Sequence, residues 1–260
     1  DPSPGRAPGR ALPASVIRVV TFDFWQTLVI DTPENLQRGK ELRLEGVASV
    51  LARAGRPTGP AELEAAYGAS GNALMKRFWA DQRDLPHREQ VKIFLELAAP
   101  GVTADLSLEL FDEAVAAYIN PVLRLLPQPV SGAVETLSAL RELGLTLGLI
   151  SNTGRTPGVV LRQVLDHYGL LGYFKVLSYS DEVGYRKPHP AIFTETLRQA
   201  GAGPAQAVHV GDDAATDVAG ARAVGMSAAH FSAGGGSPAP EADFVLHHLA
   251  DLTDRLRTLL

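Results

Sequence analysis

The sequence predicts an α/β protein: a Rossmann-like parallel sheet with helices on both faces, plus an inserted α-helical cap domain. Short β-branched runs recur along the chain, and after residue 130 each is separated from the next by a helical stretch. Between the first run and the others lie about 90 residues of helical periodicity with no convincing strand. Alternation of strands and helices at this spacing is the pattern of parallel strands joined by crossover helices.

The strand runs are SVIRVVTF (15–22), LTLGLI (145–150), KVLSY (175–179), AVHV (207–210), SAAHF (227–231) and DFVL (243–246). Between and after the later strands stand SGAVETLSALRELG, PGVVLRQVLDHYG, HPAIFTETLRQAG, AATDVAGARAVG and HLADLTDRLRTLL. Gly144, Gly169, Gly201 and Gly225 close four of these stretches, where a helix end favours a residue tolerant of positive φ. The early helical block includes LQRGKELRLEGVASVLARAG and REQVKIFLELA, and NPVLRLLPQPV (120–130), with its three prolines, reads as the return hinge. The expected organisation is a flexible leader (1–14), an α/β core (15–31 and 126–260) and a helical cap (32–125). Met75, Phe78 and Trp79 sit at helical spacing and are expected in the core of that cap.

At 260 residues, 45% hydrophobic and 20% charged, the chain is long enough and apolar enough to bury a core. A net charge of −5 argues against nucleic acid as the partner. With no cysteine, disulfides, a thiolate nucleophile and Cys-ligated zinc are excluded, so a metal would need oxygen or imidazole ligands. The leader lacks the apolar centre of a signal peptide, and no run approaches the ~18–20 residues of a membrane span. A cytoplasmic protein without a membrane partner is expected, and a homodimer is left open.

In an open parallel sheet, ligands bind beyond the carboxyl ends of the strands, near the point where strand order reverses. The first strand ends in Asp23 and Thr27, the second in Ser151 and Asn152, the fourth in GDDAATD with Asp212, Asp213 and Asp217; Lys187 stands in GYRKPHP. Carboxylates from two strands make an all-oxygen site suited to magnesium shared with a substrate phosphate. Asp23 can then act as a covalent nucleophile, with metal and Lys187 offsetting repulsion from a phosphate dianion. Ser151 and Asn152 would donate hydrogen bonds to the phosphoryl oxygens. Asp213 fits a helix N-cap as well as a ligand.

These motifs, in this order, resemble the haloacid dehalogenase-like hydrolase superfamily, in the group with a helical cap between motifs one and two. The resemblance covers nearly everything after residue 15: DFWQT, the serine of ISNTG, the lysine of RKPHP and the GDDAATD run. It implies Asp23 as nucleophile, Thr27 and Ser151 as phosphate ligands, Lys187 as charge stabiliser, and a small phosphorylated metabolite as substrate. Magnesium would be held by Asp23, Asp212, Asp217 and the backbone carbonyl of Trp25.

Trp25 stands where phosphatases of the family carry a second aspartate, the general acid. Trp25 is counted with Thr27, Ser151 and Asn152 among the substrate-binding residues, but its indole donates only through Nε1 and cannot shuttle a proton at neutral pH. Asp31, Glu34 and His87 are the residues whose placement could restore one. Two other readings follow from the same residue: hydrolytic dehalogenation of a 2-haloacid, and a catalytically retired binding protein. The retained acidic cluster favours a metal site over a dehalogenase. A phosphonate-cleaving site would need a cap lysine, with Lys40, Lys76 and Lys92 as candidates. His189, His209, His230, His247 and His248 show no metal-ligand spacing and are expected to be structural or on the surface.

Overall fold

Val19–Phe22 forms the first strand, β1, and its four side chains are all buried. The computed structural model describes residues 16–235, 237 and 239–258; the expected leader lies outside them. After β1 come a two-residue strand, β2 (Val29–Ile30), and five helices: α1 (Pro33–Arg53), α2 (Pro60–Arg77), α3 (His87–Ala98), α4 (Val102–Asp105) and α5 (Leu108–Ile119). The chain returns through β3 (Gln128–Pro129) and α6 (Ala133–Glu142). Then follow β4 (Thr146–Ser151), α7 (Gly158–His167), β5 (Val176–Tyr179), α8 (Ser180–Val183), α9 (Pro190–Ala200) and β6 (Ala207–Gly211). A π-helical turn (Ala214–Ala219), α10 (Gly220–Ala223), β7 (Ser227–Phe231), β8 (Phe244–Leu246) and α11 (Ala250–Arg257) complete the fold.

Six strands make one sheet in the order β5-β4-β1-β6-β7-β8, every neighbouring pair parallel. The strand order reverses around β1, so the carboxyl ends of β4, β1 and β6 adjoin at the switch point. Phe22 is level with Leu149 and Val210, which sets Asp23 beside Ile150 and Gly211. The pleat sends Val20 and Phe22 into a core with α6, α7 and α11. Val19 joins the opposite core with α9 and α10. Both faces are thus covered, the condition for a parallel sheet.

The helical insertion begins at a strong start signal, with Thr32 accepting from the Asn35 amide at 3.1 Å ahead of Pro33. Its apolar residues, among them Val47, Leu51, Phe94 and Tyr118, join Phe24 and Leu28 in the core that also lines the sheet. Entry and exit of the insertion are tied together by an antiparallel ribbon, Val29 opposite Pro129 and Ile30 opposite Gln128. The sequence reading has no counterpart for this ribbon, because two residues of strand carry no periodicity. Met75, expected in the insertion's core, is 52% exposed. Trp79 is half-buried against Arg186, and its spacing to Met75 is that of a helix that ends at Arg77. The helix expected over 214–225 opens as a wide π turn, because the amide of Val218 reaches back to the Asp213 carbonyl at 3.2 Å.

Phe22 is completely buried and meets Phe174 edge-on at 6.5 Å. Phe22→Ala is expected to lower stability by about 3–5 kcal/mol in urea unfolding; a loss below about 1 kcal/mol would contradict this packing.

Candidate active site

Where β1 ends, the Asp23 amide donates to the Val210 carbonyl of β6 at 2.9 Å, and the residue is 8% exposed. Lys187 arrives from the loop before α9. Its buried Nζ donates to Asp23 Oδ1 at 2.6 Å and to Asp217 Oδ1 at 2.5 Å. Asp212 comes from the turn after β6. One oxygen of each of Asp23, Asp212 and Asp217 lies within 4.8 Å of the others. Three carboxylates against one ammonium leave the cluster short of positive charge, and the donor set, all oxygen and partly shielded from water, suits a hard divalent cation. Asp23, Asp212 and Asp217 therefore pass the chemical test for magnesium.

Burial pushes the Asp23 carboxyl up to about 7, against the pull of Lys187 and with the push of Asp217. Asp212 rises to about 6 for the same reason, burial first and the Asp217 charge second. Asp217 goes the other way. It too is desolvated, but Lys187 and His209 hold its carboxyl well below the usual range.

Asp217 is held by the protein through both carboxylate oxygens. Besides Lys187, its Oδ1 meets His209 Nε2 at 3.0 Å, and its Oδ2 accepts from the Asp213 amide at 3.1 Å. Its geometry is that of an anchor for Lys187 as much as a metal ligand. His209, expected to be merely structural or on the surface, is buried beside the site. Burial lowers its pKa, so the ring is neutral. Its Nε2–H then faces Asp217, leaving Nδ1 to accept from Thr21 Oγ1 at 2.8 Å. The period-two pattern of AVHV marks His209 as an interior strand residue, a signal that a search for metal spacing passes over.

Thr27 and Ser151 are fully buried, and neither hydroxyl has a hydrogen-bond partner among the described residues. An unpaired buried hydroxyl costs about 1–3 kcal/mol, and both sit at the sheet edge that carries Asp23. Asn152 has a partner inside the protein. Its Oδ1 accepts from the Lys187 amide at 2.7 Å and its Nδ2 donates to the Lys187 carbonyl at 3.0 Å. The side chain grips the lysine's backbone through Oδ1 and one Nδ2 hydrogen, which leaves its second N–H for a substrate. Asp213 takes the capping role, accepting from the amides of Ala215 and Thr216 at 2.9 and 2.7 Å. His230 steadies the neighbouring turn, with Nε2 at 2.9 Å from the Asp212 carbonyl.

Trp25 packs edge-on against Phe24 at 4.8 Å and, with Asp31, Asn35, Gly39, Arg43 and Thr156, lines a cavity of about 60 Å³. Of the three acid–base candidates, Asp31 alone lines it. Glu34 is exposed, and His87 lies 3.6 Å from Asp181. Lys40 is paired with Glu64 and Lys92 with Glu89, each at 2.8 Å, while Lys76 is exposed. Among the described residues, none of the three lysines lines the cavity. A larger groove of about 540 Å³ on the insertion, bounded by Arg77, Phe78 and Ile93, contains none of the site residues.

A parallel sheet with a nucleophile-bearing turn at its switch point is a common hydrolase plan, and comparison with known proteins narrows it. A family model described as haloacid dehalogenase-like hydrolase matches residues 17–225. The chain belongs to this family of hydrolases. A glyceraldehyde 3-phosphate phosphatase of Methanopyrus kandleri is 35% identical over 133 residues, 50% of this chain and 54% of that protein. The chain thus spans about half the length of that relative. A protein of the same name from Pyrococcus abyssi is 30% identical over 84% of this chain and 83% of its own. The solved structure of a 2-haloacid dehalogenase from Pseudomonas syringae pv. tomato is 25% identical, with a TM-score of 0.68 over 94% of this chain and 100% of that one.

Because the folded-state pKa of Asp23 lies above its usual 3.8, this group takes stability away as pH rises from 3.8 through about 7. Asp23→Asn in metal-free buffer is expected to raise Tm by roughly 2–8 °C at pH 8, with a smaller gain at pH 5. Equal or negative shifts at both pH values, measured by calorimetry, would contradict the assigned strain.

Proposed function

We propose that this chain is a magnesium-dependent phosphatase of a small phosphorylated metabolite, working through an aspartyl-phosphate on Asp23, in the cytoplasm. The observation that carries the reading is the cluster of Asp23, Asp212 and Asp217 around a single buried ammonium. A metal-free site would leave that repulsion uncompensated. The names of the two archaeal relatives support a phosphate ester as substrate.

In this reading an Asp23 oxygen attacks phosphorus, the ester P–O bond breaks, and the alcohol leaves. Water then attacks the phosphoryl group and releases inorganic phosphate with Asp23 regenerated. Lys187 offsets the charge of the attacking carboxylate and of the phosphoryl oxygens. Thr27 and Ser151 supply hydroxyls to those oxygens, and neither hydroxyl has a hydrogen-bond partner among the described residues. Magnesium, held by Asp23, Asp212, the Trp25 carbonyl and Asp217 directly or through water, would add Lewis-acid neutralisation of the phosphate. The helical insertion, residues 32–125, serves as the cap that excludes water and shapes the leaving-group pocket. Asp31 supplies the proton that Trp25 cannot.

The trap of choice is beryllofluoride with magnesium, which is expected to bind wild type and not Asp23→Asn, while EDTA abolishes ester hydrolysis. Failure of the trap, together with activity that survives Asp23→Asn, would end this reading. The likeness to the dehalogenase and the absence of a carboxylate at position 25 favour one competitor, attack of Asp23 on carbon. Halide release from a 2-haloacid in EDTA would establish that competitor instead.

The proton-donor assignment makes a separate prediction. Asp31→Asn is expected to lower kcat about 10²-fold for alkyl phosphates, and much less for p-nitrophenyl phosphate, whose leaving group needs little protonation. Trp25→Asp should restore turnover in that variant. Equal losses on both ester classes would remove Asp31 from the role.

A further inference from the structure

The loop that carries Lys187 is held from two sides, and one of them is the helical insertion. Asn152 grips Lys187 from the sheet side. From the other side the segment after α2 pairs with the loop as a short antiparallel ribbon: the Arg186 amide donates to the Gln82 carbonyl at 2.8 Å, and the Asp84 amide to the Gly184 carbonyl at 2.9 Å. Arg83 and Tyr185 face each other between these bonds.

Asp84 is the centre of this contact. Only 6% of the residue is exposed, and both carboxylate oxygens are filled. Oδ1 accepts from Trp79 Nε1 at 3.0 Å, from the Leu85 amide at 2.9 Å and from Gln90 Nε2 at 3.1 Å, all within the insertion. Oδ2 reaches across to the α/β core, accepting from Ser180 Oγ at 2.5 Å and Arg186 Nη1 at 2.7 Å. Arg186 also donates to the Thr153 carbonyl, and its guanidinium lies 4.4 Å above the Trp79 ring. Ser180 Oγ in turn receives the Thr153 amide at 2.8 Å. One carboxylate from the insertion therefore fixes the residue before Lys187 and the residue two after Ser151.

We infer that Asp84 is a positioning residue: through Arg186 and Ser180 it aligns Lys187 and the Ser151 loop, so that docking of the insertion completes the active site. The inference rests on the function proposed above for the meaning of Lys187, but the coupling itself can be measured without turnover. The pair is buried, with side chains 0% and 15% exposed, so removing either partner leaves a charge desolvated and alone. Lys187 would then lose the side-chain restraint on its N-terminal side while keeping Asn152 and the main-chain ribbon.

Two variants, Asp84→Ala and Arg186→Met, test this in the full chain. With p-nitrophenyl phosphate and magnesium, each is expected to lower kcat about tenfold or more while KM changes less than about threefold, and the double variant should be no worse than either alone. Arg186→Lys should recover part of the loss. The second readout is brief amine acetylation followed by peptide mass spectrometry. Labelling of Lys187, which is 3% exposed, should rise in both variants, whereas Lys40, paired with Glu64 within the insertion, should label as in wild type. A kcat within about twofold of wild type with Lys187 still protected overturns the inference. So does labelling that rises equally at Lys40, which would mean general loosening. If wild type hydrolyses no phosphate ester, the proposed function fails, and the ratio of Lys187 to Lys40 labelling alone decides the coupling.

Discussion

Everything at the carboxyl edge of the sheet depends on one buried ammonium between two carboxylates, Lys187 bridging Asp23 and Asp217. Remove that cation and two buried anions face each other across the switch point with a third, Asp212, beside them. The rest of the local structure secures the lysine. Gly211 leaves room for Asp217, since a Cβ there would stand 2.2 Å from the carboxylate carbon. His209, itself braced by Thr21, keeps the Asp217 oxygen aimed. Asn152 holds the lysine's backbone. A parallel sheet supplies the strand ends, but this chain of contacts turns them into a site.

Much of that was legible in the residues. The six main strands and the long helices follow from periodicity, because burial on both faces of a parallel sheet leaves β-branched runs that little else produces. Asp23, Lys187, Asp212 and Asp217 could be gathered because each follows a strand or opens a helix in a short polar turn. What the sequence hid depends on partners distant along the chain. The β2–β3 ribbon pairs residues 98 and 100 positions apart in two-residue strands. Asp84 looks like any turn aspartate until Arg186 is found against it. The grip of Asn152 on the Lys187 backbone was hidden because an amide's hydrogen bonds cannot be read from its neighbours, and His209 was hidden by its place inside a strand. Met75 fell outside the insertion's core because helical spacing identifies a face without saying whether that face meets anything.

Trp25 separates two parts of the chemistry that usually travel together. The covalent step needs a nucleophile, a compensating charge and hydroxyl donors, and Asp23, Lys187, Thr27 and Ser151 are the groups available for it. Leaving-group protonation is a different requirement, worth about 10²–10⁴-fold, and falls mainly on substrates with poor leaving groups. The cavity of about 60 Å³ beside Trp25 is lined by Asp31 and Arg43 but not by Asp23 or Lys187. Family membership leaves the leaving group open, since relatives by sequence and structure bear the names of both a phosphatase and a dehalogenase.

Rapid acid quench during turnover of a phosphate ester with magnesium, followed by peptide mass spectrometry, tests the central claim most directly. The account predicts one phosphoryl group on the peptide containing Asp23, absent from Asp23→Asn. An unmodified Asp23 peptide during active turnover, or a phosphoryl group carried elsewhere, would contradict it.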